Sequence, residues 1–410
     1  MSKLSAQKPR LGDYFSQRTE PGWEGLPTLS VTLRDGLVFR DDLDRKTDTS
    51  LEHHEHLLAR KGDIAYNMMR MWQGASGRAA TDGLVSPAYV VLSPTDRIDT
   101  RFAAHWFKSP RMIYLFWAYS HGLTEDRLRL YYDDFAEIPA APPPLSEQRR
   151  IAAILDEWDG ATATLEKLVQ SQQRRKGGLI KSIFFGDANW FDASISELAD
   201  VVGGGTPSTN KRAYWDGDIP WCTPTDITGL ATRYVKNTER TISDAGLAAS
   251  NASLLPVGSI ILCSRASVGE CAINLVPMAT NQGFQSLIPK DQNDRYFLYY
   301  LVQAYKHELL RLSAGSTFME FPKSALRTMN IRIPETQRRQ AIGLVLNNVD
   351  DELDQTVALL ERLRLQKRGL TQKLLSGDLP VPESIDRLLP GGHDIDDAVG
   401  AEAQSAEATG

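Results

Sequence analysis

The sequence predicts an α+β fold in which two globular α/β segments are separated by two long helices that pair as an antiparallel coiled coil. The first observation behind this prediction is an internal repeat, because residues 151–187 recur as residues 342–378 at a constant offset of 191. The second is that the segments before the two copies alternate short β-like runs with turns rich in Gly, Pro and Asp. A fixed offset held over such a length marks a true duplication and predicts a pseudo-twofold internal repeat. The identical pairs are Ile151 and Ile342, Leu155 and Leu346, Asp159 and Asp350, Leu168 and Leu359, Lys176 and Lys367, Gly178 and Gly369, Leu179 and Leu370, Gly186 and Gly377, and Asp187 and Asp378.

Each copy of the repeat has the hydrophobic spacing of a long helix. With Ile151 as heptad position a, an apolar stripe recurs about every 3.5 residues. At 1.5 Å per residue such a helix is about 55 Å long, and duplicated helices can bury their stripes against each other, although two separate surface helices are the alternative. Gly186 and Gly377 are predicted to cap the helices in the left-handed conformation. We therefore expect spacer helices over residues 145–187 and 336–378.

Composition places the chain among ordinary globular proteins. Its 410 residues are enough for two or three domains, and 42% of them are apolar. No apolar run approaches the roughly 18 residues of a membrane span, and the polar N-terminus lacks the apolar stretch of a signal peptide. The three cysteines, Cys222, Cys263 and Cys271, form no CxxC pair. A reduced protein of the cytoplasm is the expectation.

The net charge of −6 is concentrated at the C-terminus. Residues 379–410 contain seven acidic side chains and one arginine, so the rest of the chain is close to neutral. This segment is rich in Ala, Gly and Asp and is predicted to be an acidic disordered tail. A neutral remainder leaves room for a local basic face that could bind nucleic acid.

The two globular segments are residues 1–144 and 188–335, and they read as distant copies of one another. Strands are predicted at Leu26–Leu33, Asp63–Met69 and Ala88–Leu92 and again at Val257–Cys263 and Phe284–Pro289, and helices at Arg101–Ser120 and Asp294–Leu312. Lys61-Gly62-Asp63-Ile64 corresponds to Val257-Gly258-Ser259-Ile260. In both segments an arginine and a loop of small residues follow, namely Arg70 with Gly74–Gly77 and Arg265 with Ala266–Gly269.

Six stretches of the second segment together resemble the target recognition domain of a Type I restriction-modification specificity (S) subunit. They are Gly203-Gly204-Gly205-Thr206-Pro207-Ser208, Tyr214-Trp215-Asp216-Gly217-Asp218-Ile219-Pro220-Trp221, Leu254-Leu255-Pro256-Val257-Gly258-Ser259-Ile260, Ser264-Arg265-Ala266-Ser267-Val268-Gly269, Thr280-Asn281-Gln282-Gly283-Phe284 and Gly315-Ser316-Thr317-Phe318. The Gln-Arg-Arg tags at 148–150 and 337–339 resemble the openings of that family's conserved helices, with the second tag two residues out of register. The first segment lacks the Gly-Gly-Thr-Pro-Ser stretch and has residues 66–80 in place of the Ser-Arg-Ala loop, so it resembles a different recognition class.

The resemblance implies a DNA sequence-specificity subunit. Each globular segment would be a target recognition domain that reads one half of a bipartite, asymmetric target in double-stranded DNA, and the conserved spacer helices would fix the separation of the halves. Partner subunits would perform the chemistry: modification (methyltransferase) subunits, in two copies, would methylate adenine, and restriction (translocase and nuclease) subunits would cleave. A related system in which one partner chain carries both functions is a close alternative. The chain itself is expected to be non-catalytic, to bind no cofactor and no metal, and to contact no membrane.

The sequence lacks the motifs that an enzyme of this kind would need. There is no Asn- or Asp-Pro-Pro-aromatic tetrapeptide to hold a flipped base, no GxGxxG, and no Gly-Lys-Ser/Thr after Gly203-Gly204-Gly205. His53-His54-Glu55-His56 invites a zinc site, but no cysteine or second histidine pair accompanies it, and a solvated surface is the simpler interpretation.

Candidate DNA-binding residues are those whose side chains pair donors with acceptors or carry positive charge in the loops. Arginine reads guanine and Asn or Gln reads adenine through paired hydrogen bonds, and Lys, Arg and Thr contact phosphates. The candidates are Asn67, Arg70, Gln73 and Arg78 in the first segment and Thr206, Lys211, Arg265, Asn281 and Gln282 in the second. The competing interpretation is that these side chains only hold loop geometry. Trp215 and Trp221 are predicted to be core residues.

A protein from another class could share this plan. Two globular segments joined by a coiled coil could form a protein-interaction scaffold that does not bind DNA. Salt separates the two hypotheses, because DNA binding weakens steeply as ionic strength rises whereas an apolar protein interface does not.

Overall fold

The computed structural model describes residues 8–43, 51–124, 127–186, 189–313 and 320–388. The chain divides into two compact units, which are described separately. Unit 1 comprises residues 1–164 and 361–410, and unit 2 comprises residues 165–360. Within the described ranges no helix is both long and apolar enough to cross a membrane.

Both units mix short strands with helices. The strands are β1 (Phe15–Arg18), β2 (Leu29–Val31), β3 (Leu37–Phe39), β4 (Leu57–Ala59), β5 (Ile64–Asn67), β6 (Ser76–Arg78), β7 (Gly83–Val85), β8 (Tyr89–Pro94), β9 (Phe191–Ser194), β10 (Ala199–Gly203), β11 (Trp215–Cys222), β12 (Tyr234–Val235), β13 (Arg240–Ile242), β14 (Ile260–Leu262), β15 (Cys271–Asn274), β16 (Ala279–Thr280), β17 (Gln285–Pro289) and β18 (Asn330–Ile333). The helices are α1 (Thr100–Trp106), α2 (Pro110–Ala118), α3 (Tyr132–Glu137), α4 (Leu145–Gly186), α5 (Ile195–Leu198), α6 (Pro224–Thr228), α7 (Asp244–Ala248), α8 (Arg295–Ala304), α9 (Lys306–Ser313), α10 (Lys323–Arg327) and α11 (Thr336–Ser376). Single 3-10 turns lie at Leu11–Asp13, Arg40–Asp42, His53–Glu55, Met71–Gln73, Arg212–Tyr214, Gln292–Asp294 and Glu383–Leu388.

The main sheet of unit 1 is antiparallel and has the strand order β1-β8-β5-β6. Two-stranded sheets β2-β3 and β4-β7 lie beside it. Helices α1, α2 and α3 cover the sheet with a core of interlocking aromatic rings, in which Phe107 stands edge-on to Phe116 and to Phe135. Large aromatic side chains bury much apolar area in such contacts, so this segment has a core of its own.

Unit 2 has a main sheet of the same design. Its order is β10-β17-β14-β15-β12, so β10, β17, β14 and β15 repeat the order of β1, β8, β5 and β6. Gly62 and Gly258 precede the matching strands β5 and β14, and both have positive φ. Gly74 and Gly269, in the loops that follow those strands, also share positive φ. The predicted duplication of the globular segments therefore extends to their strand order and to the glycines at their turns.

Two further sheets complete unit 2. A three-stranded sheet of order β13-β11-β16 packs Trp215, Trp221 and Ile242 into a small core. Strands β9 and β18 pair antiparallel, with Ala193 opposite Ile331, and so join the start and the end of the globular segment.

The long helices α4 and α11 coincide to within two residues at each end with the segments 145–187 and 336–378, where spacer helices are predicted. In unit 1 the first half of α4 packs against the end of α11, where Lys367 bonds to Asp159 and Leu155 lies in the same core as Leu374. In unit 2 the second half of α4 packs against the start of α11, where Lys176 stands 2.6 Å from Asp350. Each unit thus contains one antiparallel pairing held by the same repeated Lys and Asp positions.

The two predicted glycine caps have different outcomes. Gly377 has a φ of +81° and follows the last residue of α11, as predicted. The prediction that Gly186 caps α4 in the left-handed conformation is wrong. Gly186 is the last residue of α4 and does not have a positive φ. Residues 187–188 lie outside the described ranges.

Both predicted globular-segment helices are divided in two. The predicted helix at Arg101–Ser120 is α1 and α2, because Ser109 caps α2 and Pro110 occupies its first turn. Proline has no N–H and disfavours helical geometry in the residue before it, so it begins a helix rather than continuing one. The predicted helix at Asp294–Leu312 is α8 and α9, separated at Tyr305.

The first ten residues of the predicted disordered tail are ordered. Residues 383–388 form a 3-10 turn, and Val381 is buried in the unit 1 core with Ile385 packed against it. Arg150 donates two hydrogen bonds to the Asp386 carboxylate, at 2.7 and 2.9 Å, and these bonds lower the pKa of Asp386 below its usual range. The disorder prediction is therefore wrong for 379–388, while residues 389–410 lie outside the described ranges.

Replacing Asp386 with asparagine is expected to release this turn, because the neutral amide cannot form the charge-assisted pair with Arg150. Hydrogen exchange of residues 379–388, corrected for intrinsic rates, should become faster. The ion pair stabilises the fold only while the Asp386 carboxylate is ionised. Its contribution is therefore fully present above the ordinary aspartate pKa of about 4. It is lost as pH falls through the lower pKa of the folded state. The wild-type turn should therefore open at low pH, and Asp378→Asn serves as the control, since Asp378 accepts only a local bond from Ser376. Unchanged exchange in Asp386→Asn would contradict the assignment.

Candidate nucleic-acid interface

Three loops of unit 2 converge where strands β10, β14 and β16 end. Gly205 N donates to the Thr280 carbonyl at 2.9 Å, and Ser264 N donates to the Gly283 carbonyl at 2.8 Å. These backbone bonds join the three stretches that the sequence singled out into one surface. The unit-2 loop cluster is defined here as residues 203–208, 264–267 and 280–283.

The cluster brings the predicted residues Thr206, Asn281 and Gln282 together. The Thr206 hydroxyl donates to the side-chain oxygen of Gln282, and both residues are exposed. Asn281 Oδ1 accepts the Gly283 N–H at 2.8 Å, which is the local turn that the competing interpretation predicted. Gln282 retains its amide N–H donors and Asn281 its side-chain N–H donors, so the cluster presents hydrogen-bond donors to solvent.

Arg265 lies in the same cluster but is held by an acidic partner. Its Nε stands 2.7 Å from Glu320 Oε2, and the two residues also form an isolated β-bridge. The next residue, Ala266, has a φ of +56°, a conformation that costs energy in a residue with a Cβ. The loop therefore fixes Arg265 against Glu320 instead of leaving its guanidinium free. The neighbouring Gly315-Ser316-Thr317-Phe318 stretch lies outside the described residues.

Lys211 lies next to the cluster and packs on an aromatic side chain. Its ammonium donates to the Tyr214 hydroxyl at 3.1 Å and stands 5.1 Å from the centre of that ring. Trp215 and Trp221 are buried, as predicted, with their rings 5.0 Å apart and nearly perpendicular. Their indole N–H groups donate to the Ser208 and Gly205 carbonyls, so these core residues support the loop that carries Thr206.

In unit 1 the predicted residues Asn67, Arg70 and Gln73 lie together, since Asn67 is the last residue of β5 and the other two are in the loop between β5 and β6. Asn67 Oδ1 accepts the Met69 N–H at 3.0 Å and so shapes the turn. Arg70 and Gln73 are exposed, and neither side chain forms a hydrogen bond or ion pair within the described residues. Gly74, with a φ of +86°, closes this loop against Ile113 of α2.

Arg78 is separated from the other three candidates of unit 1. In the β5-β6 hairpin Arg78 pairs with Ile64, whereas Asn67 is at the opposite end of β5. Its Nε donates to the Thr100 hydroxyl at 2.9 Å, at the start of α1. Strands rise about 3.3 Å per residue, so Arg78 is about 10 Å from the loop. Its grouping with Asn67, Arg70 and Gln73 is not supported by the geometry.

The thiols and histidines of the described residues show no reactive arrangement. Cys222 and Cys263 are buried behind the loop cluster, and burial raises the pKa of Cys263 to about 12, which keeps it protonated at neutral pH. His56 is buried with Nδ1 3.0 Å from the Glu52 carbonyl. In the part of the chain that the structure describes, no group of three or more His, Cys, Asp and Glu side chains is placed to hold a metal ion.

Residues 188–363 match the family model of the Type I restriction modification DNA specificity domain. The chain is 37% identical over 183 residues to the Type I restriction enzyme MjaIX specificity subunit of Methanocaldococcus jannaschii, which covers 43% of this chain and 42% of that protein. It is 26% identical over 253 residues to the EcoR124I/EcoR124II specificity subunit of Escherichia coli, which covers 59% and 61% of the two chains. The match to the family model thus covers the second globular segment and part of α11, which is less than half of the chain. The chain spans less than two thirds of the length of these two curated relatives.

Two solved structures share the fold of this chain. A Type I restriction-modification S subunit from M. genitalium superposes with a TM-score of 0.58 at 15% identity and covers 91% of this chain and 98% of that one. A second structure, from a study of complex assembly and conformational transition of the Type I system, gives a TM-score of 0.56 at 15% identity over 92% of this chain and all of the other. At this identity the comparison establishes the fold alone. It confirms the predicted α+β class with long helices between the globular segments.

The sequence missed one residue of this specificity-domain surface. Arg240 of β13 stacks on the Trp215 ring, with its guanidinium carbon 3.7 Å from the ring centre. Strand pairing of β13 with β11 puts Arg240 opposite Trp221. No local motif contains Arg240, and only the long-range pairing of two strands with weak sequence signals places it beside the cluster.

Proposed function

We propose that the chain is the DNA sequence-specificity subunit of a Type I restriction-modification complex in the cytoplasm. Its two globular segments, as target recognition domains at 1–144 and 188–335, each read one half of a bipartite, asymmetric DNA target. The observation that carries the proposal is that the residues matching the specificity-domain family include a loop cluster of exposed hydrogen-bonding side chains.

The chemistry of the loops supports DNA as the ligand. Gln282 and Asn281 have the amide groups that pair with adenine, and Lys211 has a charge suited to phosphate. In unit 1, Arg70 and Gln73 are exposed with no partner within the described residues. Two loops with different residues predict two different half-sites.

The long helices suit a spacer role. Helix α4 has 42 residues, or about 63 Å at 1.5 Å per residue. Half-sites on one face of B-DNA lie about 34–36 Å apart for each helical turn, so a helix of this length is sufficient to hold two domains at such a separation. The ion pairs Lys176–Asp350 and Lys367–Asp159 repeat one arrangement in the two units. The duplication thereby offers two equivalent surfaces, which suits the binding of two modification subunits.

Catalysis is assigned to the partners. Adenine methylation requires the target base to leave the helix and enter an enzyme pocket, and the sequence contains neither the base-holding tetrapeptide nor a Gly-rich cofactor turn. We propose that modification subunits methylate adenine and that restriction subunits translocate and cleave, at sites that this chain selects on double-stranded DNA. The chain itself needs no cofactor or metal for this role.

Methylome sequencing tests the proposal. The modification subunit of the same system is expressed in a host with and without the full chain, and adenine methylation is mapped. We expect a split motif with a fixed gap to appear only when the chain is present. If an active modification subunit produces no motif that depends on the chain, the specificity function is wrong and the protein-interaction scaffold becomes the better account.

A segment exchange then assigns the half-sites. Replacing residues 188–335 with the corresponding segment of another family member is expected to change one half-site and leave the other half-site and the gap unchanged. A change in both halves would contradict the independence of the two segments. The salt dependence of binding distinguishes DNA binding from an apolar protein interface. Phosphate contacts make the logarithm of the affinity fall linearly with the logarithm of the salt concentration.

A further inference from the structure

We propose that Arg240 reads a guanine in the half-site recognised by the second globular segment. This inference rests on the proposed function and adds a specificity-determining residue to it. It depends on how two tryptophans hold the Arg240 guanidinium and on where those tryptophans lie.

Arg240 is stacked in a corner formed by two indole rings. Its guanidinium carbon is 3.7 Å from the centre of the Trp215 ring and 5.3 Å from the centre of the Trp221 ring. The two rings are nearly perpendicular, so one supports the face of the guanidinium and the other limits its sideways motion. Stacking of a planar cation on indole is favourable and fixes its orientation.

The stacking leaves the edges of the guanidinium available. A guanidinium that stacks through its face keeps its N–H donors in its own plane. The residue is exposed, and no acidic side chain within the described residues pairs with Arg240. Arg265 differs, because Glu320 occupies its guanidinium at 2.7 Å. Arg240 therefore has N–H donors that are both free and held in a fixed orientation, unlike those of Arg265.

The position of Arg240 is continuous with the loop cluster. Trp221 donates its indole N–H to the Gly205 carbonyl at 2.9 Å, and Trp215 donates to the Ser208 carbonyl at 3.2 Å. The backbone of Arg240 is itself tied down, since the Thr238 hydroxyl donates to the Arg240 carbonyl at 2.6 Å. The guanidinium thus stands on the two rings that support the loop bearing Thr206.

Guanine is the base that fits these donors. Its O6 and N7 atoms are adjacent acceptors in the major groove, and the two parallel N–H groups of an arginine bind both at once. Holding the side chain in advance reduces the entropy lost on binding, which favours specific contact. A phosphate contact would use the same charge but would not depend on sequence.

The test compares the motifs produced by the full chain with its modification subunit for wild type, Arg240→Lys and Arg240→Ala. Arg240→Lys keeps the charge but loses the fork of parallel donors, so preference for guanine at one position should fall roughly 10- to 100-fold, with the other positions and the gap unchanged. Arg295→Ala is the matched control, because Arg295 also stacks on an aromatic ring, at 4.4 Å from the centre of Tyr296, outside the loop cluster.

The possible results distinguish failure of the role of Arg240 from failure of the proposed specificity function. A wild-type motif that contains no guanine in that half-site, or that is unchanged in both Arg240 variants, overturns the role of Arg240 but leaves the proposed function standing. If the Arg240 variants lose the same DNA affinity for all sequences, and the slope of log affinity against log salt falls by about one, Arg240 contacts a phosphate. That result also overturns the role of Arg240 in reading guanine. Absence of any motif dependent on the wild-type chain overturns the proposed function. Thermal melting of Arg240→Ala shows whether a loss of the motif is caused by unfolding. If it is, the motif produced with Arg240→Lys decides whether Arg240 reads guanine.

Discussion

Replacing Gly204 with alanine is expected to abolish recognition of the half-site assigned to the second globular segment. A Cβ at this position would stand 1.9 Å from the Asn281 carbonyl oxygen and 2.5 Å from the Thr280 carbonyl oxygen. Both contacts are with backbone, so no side chain can rotate away and the two loops must separate. Separation would break the Gly205–Thr280 bond and pull Thr206 away from Gln282. We expect a loss of about 2–3 kcal/mol in unfolding free energy together with loss of one half of the methylated motif.

Gly203→Ala is the matched control for this prediction. Its added Cβ would lie 3.4 Å from the side-chain oxygen of Gln285, which is an ordinary contact with a side chain that can move. Denaturant unfolding of both variants and methylome sequencing of each in the assembled complex measure the two effects. An intact motif in Gly204→Ala would show that the convergence of these loops is not needed for recognition.

The repeat made the architecture predictable, while pairings between distant residues were not. Matching residues at one offset located α4 and α11 closely, because helix spacing is a local signal. Strands such as β9 and β18 are four residues each and pair across more than a hundred positions. Neither has a local pattern strong enough to identify it. The ordered turn at 383–388 was missed for the same reason, since its order depends on Arg150, far away in the sequence.

The loops of the candidate site could be located from the sequence, but the contacts of their side chains could not. Sequence motifs located the loops that carry Thr206, Asn281 and Gln282, and the fold brings those loops together. The sequence could not reveal that Glu320 occupies Arg265 or that Trp215 supports Arg240. Those facts depend on which strands pair, and a strand register of this kind is fixed by burial and turns together rather than by residue type alone.

The Gln-Arg-Arg tags do not occupy equivalent positions in the two copies of the repeat. The offset of the repeat places Gln148 on Arg339, two positions away from the glutamine of the second tag. Both are buried at the start of a long helix, and both bind the aspartate that precedes a helix of the globular segment. Gln148 Oε1 accepts the Asp99 N–H at 2.9 Å, and Arg339 forms two bonds to the Asp294 carboxylate at 2.9 and 2.7 Å. Position in the repeat, rather than the tag, therefore decides which side chain joins the globular segment to its spacer helix.

Replacing Arg339 with methionine is expected to destabilise unit 2 by about 3–5 kcal/mol, because Asp294 would remain buried without its cation. Arg339 and Asp294 are 8% and 2% exposed, so water cannot replace the lost partner. Denaturant unfolding measures the loss. Arg311→Met is the control, since Arg311 pairs with Glu308 on an exposed helix face, where such pairs contribute at most about 1 kcal/mol.

A double variant separates the buried charge from the packing of the side chain. Arg339→Gln with Asp294→Asn removes both charges and imitates the amide that Gln148 supplies in unit 1, so it should recover a large part of the stability lost in Arg339→Gln alone. Failure to recover would mean that the guanidinium acts through its packing rather than its charge. This pair joins α8 to the start of α11. Arg339→Gln alone should therefore also allow the length of the gap in the methylated motif to vary. Methylome sequencing of the same variants measures that effect.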